Sequence, residues 1–566
     1  MSGDQLVFDM SSAPEGQASV FVRKDWLSLQ DSNNNSYVSN NIIIETSMLA
    51  NSNRYCDYRG SYLLVPLLIT MTSSAATNFE PADPAHSADC VVSLKNFYGS
   101  IIHSIQIDMN GSTISQTVPY IGLYNAFKLC TTLSYQDAIS HGPTIGFWMD
   151  SALSVGYTAV PTTSGVGTTN NRNAFTVPTV TGAFAQVGAD YNEGFAKRQS
   201  YWNFDLDGVM AGSALDYENL ISVNAMNQVW KSYIFNKVDA QNGVGGVWQA
   251  AITAQIYLRH FSDFFDKIPL LKGVFFRLSI FVNQPVVTFT INGGAGAFAA
   301  TAVNSPLGGV SPLMIASHAG ESGSSTLPFG DYTVSLCVGA TCLSSAQRTN
   351  AHIEASPLNK GVQLIVPSYV FNPIFESSYI SSEVRHIEYC SQYNYNILNL
   401  PAGQSFTQNL TNGIANIKSL LFIPFYTTEA NRGMSPIQSP FDPCGGGPTS
   451  PFCYLGNFNC QLSGANVLYN QGQYIYSQFL NQTQGVNAVN SGMTDGICSG
   501  MISKQDWETS YCYWYLDASR MLPVEEAVPK SVSVTGQNLS TLPIDLFCFI
   551  TYGVSIDVSV LSGARV

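Results

Sequence analysis

The sequence predicts an all-β protein made of two related β-sandwich units. Apolar residues mostly alternate with polar ones or form short runs between turn residues, which is typical of strands. Helical patterns are few and short, and two sets of strand motifs recur along the chain in the same order. With 566 residues, the chain is long enough to form more than one hydrophobic core.

The apolar patterns locate most of the strands. In the first unit, the predicted strands are 41–47, 61–71, 90–96, 101–109, 274–282, 286–291, 331–338 and 361–371. In the second unit, they are 393–400, 417–426, 511–519, 531–536, 544–552 and 554–560. Short helices are predicted at about 120–133, 261–268 and 520–527.

An internal repeat indicates that the two units are related. SYLLVPL at 61–67 resembles SLLFIPF at 419–425, and a strand precedes each at a similar distance (41–47 and 393–400). Residues 255–273 resemble 513–531, since both have a strand ending in Tyr-Leu, a short helical link, and Pro and Lys before another strand. The shared order predicts two related β units.

These anchors set the expected domain limits. We expect an N-terminal arm at 1–39, a first unit at 40–380 and a second unit at 381–566. The first unit is longer because it carries surface loop insertions, at about 134–250 and 293–330. Residues 151–184 are rich in Ser, Thr, Gly and Val and have almost no charge, as expected of a large surface loop.

The composition favours an assembling protein. Only 11% of residues are charged, against roughly 25% in an average soluble protein. A neutral polar surface suits burial against neighbouring subunits. The formal net charge of −14 argues against direct or sequence-specific binding to nucleic acid phosphates.

No targeting or membrane signal is evident. The N-terminal residues lack the basic and apolar regions of a secretory signal, so we expect synthesis in the cytosol. The apolar run at 62–71 is much shorter than the roughly 20 residues of a transmembrane helix. The sequence therefore predicts no transmembrane segment.

The twelve cysteines include no CxxC pair, and an intracellular protein would keep its thiols reduced. Most are therefore expected to be small buried hydrophobic residues. Cys444, Cys453 and Cys460 lie near one another in sequence, and whether they oxidise or bind a metal stays open, with the buried role favoured.

Motifs of enzymes and cofactor sites are incomplete. Residues 294–299 read GxGxxA after a strand, but a dinucleotide fold needs a full helix there, and Pro306 follows too soon. The serine in ALSVG at 152–156 is not followed by the helix of a nucleophile elbow. The seven histidines are scattered, without a metal-binding spacing. We therefore predict no catalytic, cofactor-binding or metal site.

The segment GMSPIQSPFDPCGGGPTSP at 433–451 combines several prolines with a triple glycine. A phosphate-binding loop would need Gly-Lys-Ser/Thr opening a helix, and this segment has no lysine. Proline also removes the backbone donors that hold a phosphate. We therefore predict a shaped structural loop, whose key residues are Pro440, Pro443, Gly445, Gly446, Gly447 and Pro448.

Several strings resemble one protein family. These strings are 366–381, 406–426, 439–451, 457–469 and 531–552. They resemble the double jelly-roll major capsid proteins of polinton-like viruses, which are related to the capsid proteins of virophages and Polinton elements. The resemblance is densest over about 360–566, whereas 151–250 and 293–330 match little.

The resemblance implies a structural role in a virion. It implies two tandem eight-stranded antiparallel jelly rolls, and homotrimers that form pseudo-hexagonal capsomers of an icosahedral shell. Neighbouring capsomers and a single-jelly-roll penton protein would be partners, after assembly in the host cytoplasm or nucleus. Residues 151–184 would form an outer tower, and 433–451 would lie near a subunit contact.

Two alternatives belong to other classes of protein. A receptor-binding or glycan-binding spike would also be rich in strands and aromatic residues. An enzyme on a jelly-roll scaffold would need a histidine cluster, which this sequence lacks.

Overall fold

The computed structural model describes residues 19–73, 91–150, 193–202, 247–292, 297–304, 306–316, 330–339, 361–427, 435–440, 442–468, 474–484, 500–519 and 527–565. Strands dominate these ranges, as the sequence predicts. The structural statements below concern these residues.

Fourteen strands belong to the first half of the described chain. They are β1 (Phe21–Gln30), β2 (Asn41–Glu45), β3 (Tyr55–Cys56), β4 (Tyr62–Ser73), β5 (Val91–Leu94), β6 (Ile102–Met109), β7 (Ser112–Ser115), β8 (Val247–Tyr257), β9 (Phe276–Val282), β10 (Val286–Asn292), β11 (Ala297–Asn304), β12 (Leu313–Ala316), β13 (Gly330–Val338) and β14 (Gln363–Phe371).

Eight strands belong to the second half. They are β15 (Val384–Leu400), β16 (Ser405–Ile414), β17 (Ile417–Tyr426), β18 (Leu455–Leu462), β19 (Ala465–Asn466), β20 (Trp514–Asp517), β21 (Lys530–Asn538) and β22 (Ile544–Ser559).

The helices are short and lie between strands. They are α1 (Ser47–Ala50), α2 (Ile121–Thr132), α3 (Tyr135–Ile145), α4 (Glu193–Trp202), α5 (Phe264–Lys267), α6 (Pro373–Ile380), α7 (Tyr476–Thr483) and α8 (Lys504–Thr509). In the described part of the chain, no helix is long and apolar enough to cross a bilayer.

The second half forms a jelly roll. Its two antiparallel four-stranded sheets have the orders β15-β22-β17-β20 and β16-β21-β18-β19. If the strands are counted from one to eight along the chain, these orders are 1-8-3-6 and 2-7-4-5. Successive strands therefore alternate between the two sheets, except that the fourth and fifth form a hairpin within one sheet, and this is the wrapping of a jelly roll.

The first half repeats this topology. The strands β1-β14-β4-β8 form one sheet in the order 1-8-3-6, and β2-β9-β6-β7 form the other in the order 2-7-4-5. Additional strands extend the first sheet: β13 pairs with β4, and β10 and β11 follow. A separate pair, β5 and β12, lies outside the eight-stranded pattern. The prediction of two tandem antiparallel jelly rolls is therefore confirmed.

The sequence repeat corresponds to equivalent strands at two of its three anchors. SYLLVPL and SLLFIPF lie in β4 and β17, the third strand of each roll. The Tyr-Leu motifs end β8 and lie in β20, the sixth strands. The remaining anchor is wrong, because 41–47 contains β2, a second strand, whereas 393–400 belongs to β15, a first strand.

The N-terminal limit of the first roll also needs correction. The predicted arm at 1–39 contains β1, which pairs along its length with β14 and so belongs to the first sheet. The alternation of apolar and polar residues in this strand, FVRKDWLSLQ, is weak because charged residues interrupt it. At the other limit, β14 ends at Phe371 and β15 begins at Val384, with α6 between them.

Several other predicted segments differ from the structure or lie outside it. The predicted strands 544–552 and 554–560 are one continuous strand, β22. Strands β16 and β18 were not predicted. The segment after the GxGxxA motif forms a strand, β11, where a dinucleotide site would have a helix. Residues 151–184, and most of 134–250, 317–329 and the helix at 520–527, lie outside the described residues.

Candidate functional site

The predicted structural loop lies between β17 and β18, the third and fourth strands of the second roll. Its described residues are 435–440 and 442–451, and nearly all are buried despite the absence of strands or helices. Ser439 is 2% exposed and Thr449 is fully buried. The loop is buried because it packs against the first jelly roll of the same chain.

Main-chain hydrogen bonds join this loop to the first roll. Ser311 N–H donates to the Ile437 carbonyl at 2.8 Å, and Ile315 N–H donates to the Pro440 carbonyl at 2.8 Å. Because Ile315 lies in β12, the loop follows the edge of the β5–β12 pair.

Lys95, immediately after β5, enters the loop. Its side chain is fully buried, and its ammonium donates to the carbonyls of Ser439 at 2.8 Å, Cys444 at 2.9 Å and Ile437 at 3.5 Å. Three carbonyls can accept all three N–H bonds of an ammonium. The glycine-rich loop therefore presents carbonyls to a cation, the opposite polarity to a phosphate-binding loop.

Burial lowers the pKa of Lys95 to about 8, and the acidic groups of Cys444, Asp442 and Asp150 oppose this shift. The carbonyl dipoles and the nearby acids replace part of the hydration that the ammonium loses. The junction between the two rolls thus contains a desolvated amine held by backbone groups.

The triple glycine permits this close approach. A Cβ at Gly446 would lie 2.4 Å from Cβ of Lys95, and so only glycine fits there. Gly445 and Gly447 have φ values of +86° and +139°, which favour glycine. The loop also closes on itself, since Gly445 N–H donates to the Pro448 carbonyl at 2.9 Å. The Tyr513 hydroxyl donates to the Gly447 carbonyl.

A second contact between the rolls is made by helix α2. Tyr124 of α2 lies beside Phe549 of β22, with ring centroids 5.8 Å apart. Phe127 stacks on Tyr515 of β20, with centroids 5.5 Å apart and planes inclined by 20°. Aromatic pairs of this geometry stabilise beyond the burial of their area. Helix α2 thus covers the outer face of a sheet of the second roll.

A buried ion pair forms the third part of the junction. Arg198 of α4 and Asp150 are each 1% exposed in their side chains, and their charged atoms lie 2.8 Å apart. The Arg198 guanidinium also donates to the Leu94 carbonyl at 2.9 Å and to the Trp148 carbonyl. The Tyr511 hydroxyl of the second roll donates to the Asp150 carbonyl at 2.9 Å.

A cavity of about 310 Å³ remains between α2 and the sheet that it covers. Four charged residues line it: Lys128, Asp263, Lys418 and Asp517. Two positive and two negative groups give no net preference for a cation or an anion. The cavity is therefore a mixed polar gap in the junction.

The cysteines near the loop are buried. Cys444, Cys453 and Cys460 are each at most 1% exposed and are free thiols. Burial raises the pKa of Cys460 to about 12, and burial also raises the pKa of Cys453 well above its usual range. Thiols that resist deprotonation are poor metal ligands and poor nucleophiles. Cys337 differs from the expectation of reduced thiols, because it is disulfide-bonded.

The described histidines are separate from one another. His386 lies on the surface, with its Nδ1 2.8 Å from Asp557 Oδ1 and its Nε2 3.3 Å from Glu388 Oε1. These hydrogen bonds, chiefly the one with Asp557, raise the pKa of His386. His260 is half-buried, and desolvation, together with the nearby Lys128 and Arg259 charges, lowers its pKa to about 3. In the part of the chain that the structure describes, no group of three or more His, Cys, Asp or Glu residues could hold a metal ion.

No family model matches the sequence, and no curated protein matches it. Among solved structures, a chain of the cryo-EM structure of the Sputnik virophage is 12% identical, with 98% of this chain and 92% of that chain covered and a TM-score of 0.42. The mavirus major capsid protein is 9% identical, with the same coverage and a TM-score of 0.43. The faustovirus major capsid protein is 10% identical, with coverage of 97% and 93% and a TM-score of 0.40. The jelly-roll assignment rests on the strand orders given above.

Proposed function

We propose that this chain is a structural viral major capsid protein. In this proposal, its homotrimers form pseudo-hexagonal capsomers that tile an icosahedral shell. The observation that carries the proposal is the pair of jelly rolls joined by a buried junction, which makes one chain a rigid two-lobed block. Three such blocks give six lobes around a threefold axis.

The composition and the sequence resemblance support the same role. With 11% charged residues, the surfaces of neighbouring capsomers can be desolvated at low cost. The strings at 366–381, 406–426 and 439–451 resemble capsid proteins of this architecture. The net charge of −14 keeps free trimers soluble and leaves contact with the genome to other proteins.

The function requires packing and not catalysis. Head-to-tail interfaces that close at three would be obligate and large, on the order of 2,000 Å² or more each. Weaker edges would then join neighbouring capsomers, and a single-jelly-roll penton protein would fill the fivefold vertices. The virion capsid is the proposed location.

Light scattering after size exclusion tests the proposal on the full-length recombinant protein. We expect a mass about three times the 61.3 kDa of one chain, and electron microscopy should show six-lobed particles. A stable monomer at micromolar concentration would contradict the proposal. A major capsid protein should also dominate the protein content of purified particles, whereas a spike should be a minor component.

A further inference from the structure

The outer faces of two equivalent sheets differ in burial. In the second roll, the β17 residues from Ser419 to Tyr426 are all buried, so both faces of this strand are covered. In the first roll, the equivalent strand β4 alternates at its start: Leu63 and Val65 are 1% exposed, whereas Tyr62 and Leu64 are only half-buried. Among the described residues, none covers the outer face of the first sheet at this end as fully as in the second roll.

The cover of the second sheet comes from the first roll. Helix α2, in the connection between the fifth and sixth strands of the first roll, places Tyr124 and Phe127 against Phe549 and Tyr515 of that sheet. The equivalent connection of the second roll, between β19 and β20, contains α7 and α8. Both rolls therefore carry helices in the connection between their fifth and sixth strands. In the first roll, one of these helices, α2, contacts the neighbouring roll.

The uncovered face of the first sheet is aromatic. Trp26 of β1 is 65% exposed, and its ring lies 6.0 Å from that of Tyr62 of β4. The Tyr62 ring lies 5.5 Å from that of Tyr257 of β8. This row, Trp26–Tyr62–Tyr257, crosses the sheet and is completed by Ile365 of β14, which pairs with Tyr62. An exposed apolar row on a sheet face is typical of an interaction surface.

We infer that the row Trp26–Tyr62–Tyr257 is the docking surface for α7 and α8 of a second copy of this chain. This contact would repeat between copies the contact that α2 makes within one copy. A surface on one roll would bind a different surface on the next, and such head-to-tail contacts close into a ring. The inference rests on the proposed trimer and names its interface.

The chemistry of α7 suits this surface. Its sequence YSQFLNQT has no charged residue, and Ile475 at its start is 51% exposed. The aromatic row is also uncharged, apart from Arg259, whose guanidinium lies over the Tyr257 ring at 5.0 Å. Association through α7 would bury mainly apolar and neutral polar groups. The charged residues of α8 already have partners, since Lys504 Nζ lies 3.7 Å from Glu508 and the Asp506 carboxylate accepts from the Ser503 hydroxyl.

Photo-crosslinking tests the named occupant. Benzoylphenylalanine replaces Trp26 in the full-length protein, and the irradiated sample is analysed by denaturing gel and by mass spectrometry. We expect a covalent product of two chains, in which residue 26 is joined to a peptide containing residues 474–484 or 500–510. Crosslinks only within one chain, or to another part of the second copy, would overturn the inference.

Substitution provides a second readout. Trp26→Arg places a charge in the row without disturbing the core, and we expect most of the protein to shift from trimer to monomer with unchanged circular dichroism. Met48→Arg is the matched control, since Met48 is 76% exposed and lies on α1. A Trp26→Arg protein that remains trimeric would contradict the docking surface but leave the capsid proposal intact. A monomeric wild-type protein would contradict both.

Discussion

The ammonium of Lys95 lies 2.8 Å from the carbonyl oxygen of Ser439, a residue 344 positions further along the chain. This hydrogen bond joins the first jelly roll to the second. Each partner comes from an irregular segment: Lys95 follows β5, and Ser439 lies in the loop between β17 and β18. The bond is one of three from the same ammonium, and all three acceptors belong to the second roll.

Replacement of Lys95 by Met should weaken the junction. Met fills a similar volume, but the carbonyls of Ser439 and Cys444 would lose the ammonium that donates to them, whereas that of Ile437 keeps its bond from Ser311 N–H. We expect a cost of about 3 kcal/mol in the free energy of unfolding. Urea denaturation of both proteins measures this difference. Lys504→Met is the control, because Lys504 is 69% exposed in its side chain, and its loss should change the stability by less than about 0.5 kcal/mol. Equal stabilities for Lys95→Met and the wild type would contradict the role of the ammonium.

The contribution of Lys95 should increase with pH. Its pKa falls from 10.5 to about 8 in the folded protein, so between these values the unfolded chain binds more protons. The free energy of unfolding then rises with pH, by at most about 1.4 kcal/mol per pH unit. Below pH 8 the ammonium is protonated in both the folded and the unfolded chain, so the free energy of unfolding does not depend on pH through this group.

The measurement is the stability difference between the wild type and Lys95→Met in urea at pH 7, 8, 9 and 10. Buried tyrosines also titrate at high pH, but they are common to both proteins and cancel in the difference. We expect the difference to grow above pH 8, and a constant or shrinking difference would disprove burial as the cause of the shift.

Gly446→Ala should destabilise the junction through a steric clash. The new Cβ would lie 2.4 Å from Cβ of Lys95 and 3.1 Å from its Cα, so the loop or β5 must move. We expect a loss of about 2 kcal/mol in the free energy of unfolding, and impaired trimer formation with little change in β content. Gly413→Ala is the control, since a Cβ at Gly413 meets no atom within 4 Å and neither glycine has a positive φ. Similar results for the two variants would show that the close approach is unimportant.

Arg198→Lys should loosen α4 from the first roll. A lysine cannot reproduce the fork that bonds Asp150 and the Leu94 and Trp148 carbonyls together. The expected cost is about 3 kcal/mol, because the Asp150 charge remains buried. Hydrogen exchange should show loss of protection in α4.

Arg59→Lys is the matched control for this variant. Arg59 is 61% exposed in its side chain and pairs with Asp266 at the surface, so the change should cost less than about 0.5 kcal/mol. If both variants lose the same protection, the buried pair does not anchor α4.

Sequence patterns identify most readily the strands whose apolar residues stand out from the polar residues around them. SYLLVPL and SLLFIPF could be matched because β4 and β17 are third strands with buried residues at equivalent positions. β1, which the sequence predicts as part of an arm, lies at a sheet edge, where exposed Arg23 and Lys24 obscure the alternation. Most residues of β1 are exposed or half-buried, so few apolar positions mark its inward face and its alternation is weak.

The residues of the loop predict a structural role for it, but they do not indicate which part of the chain it contacts. Lys95 follows the apolar strand VVSL, and its burial depends on acceptors more than 340 residues away. Arg198 likewise lies in a helix of ordinary composition. The sequence shows only a lone basic residue at the end of an apolar strand. This pattern does not indicate which carbonyls surround the side chain in the folded protein.

The cradle around Lys95 also has a consequence for how this protein can vary during evolution. Ile437, Ser439 and Cys444 contribute only main-chain oxygens to the ammonium, and every amino acid supplies the same oxygen. The ammonium therefore does not select the side chains at these three positions, which are limited only by their buried packing, whereas Lys95 and Gly446 cannot change without a compensating change in the other roll. Homologues should retain this lysine and this glycine in loops that otherwise share little sequence.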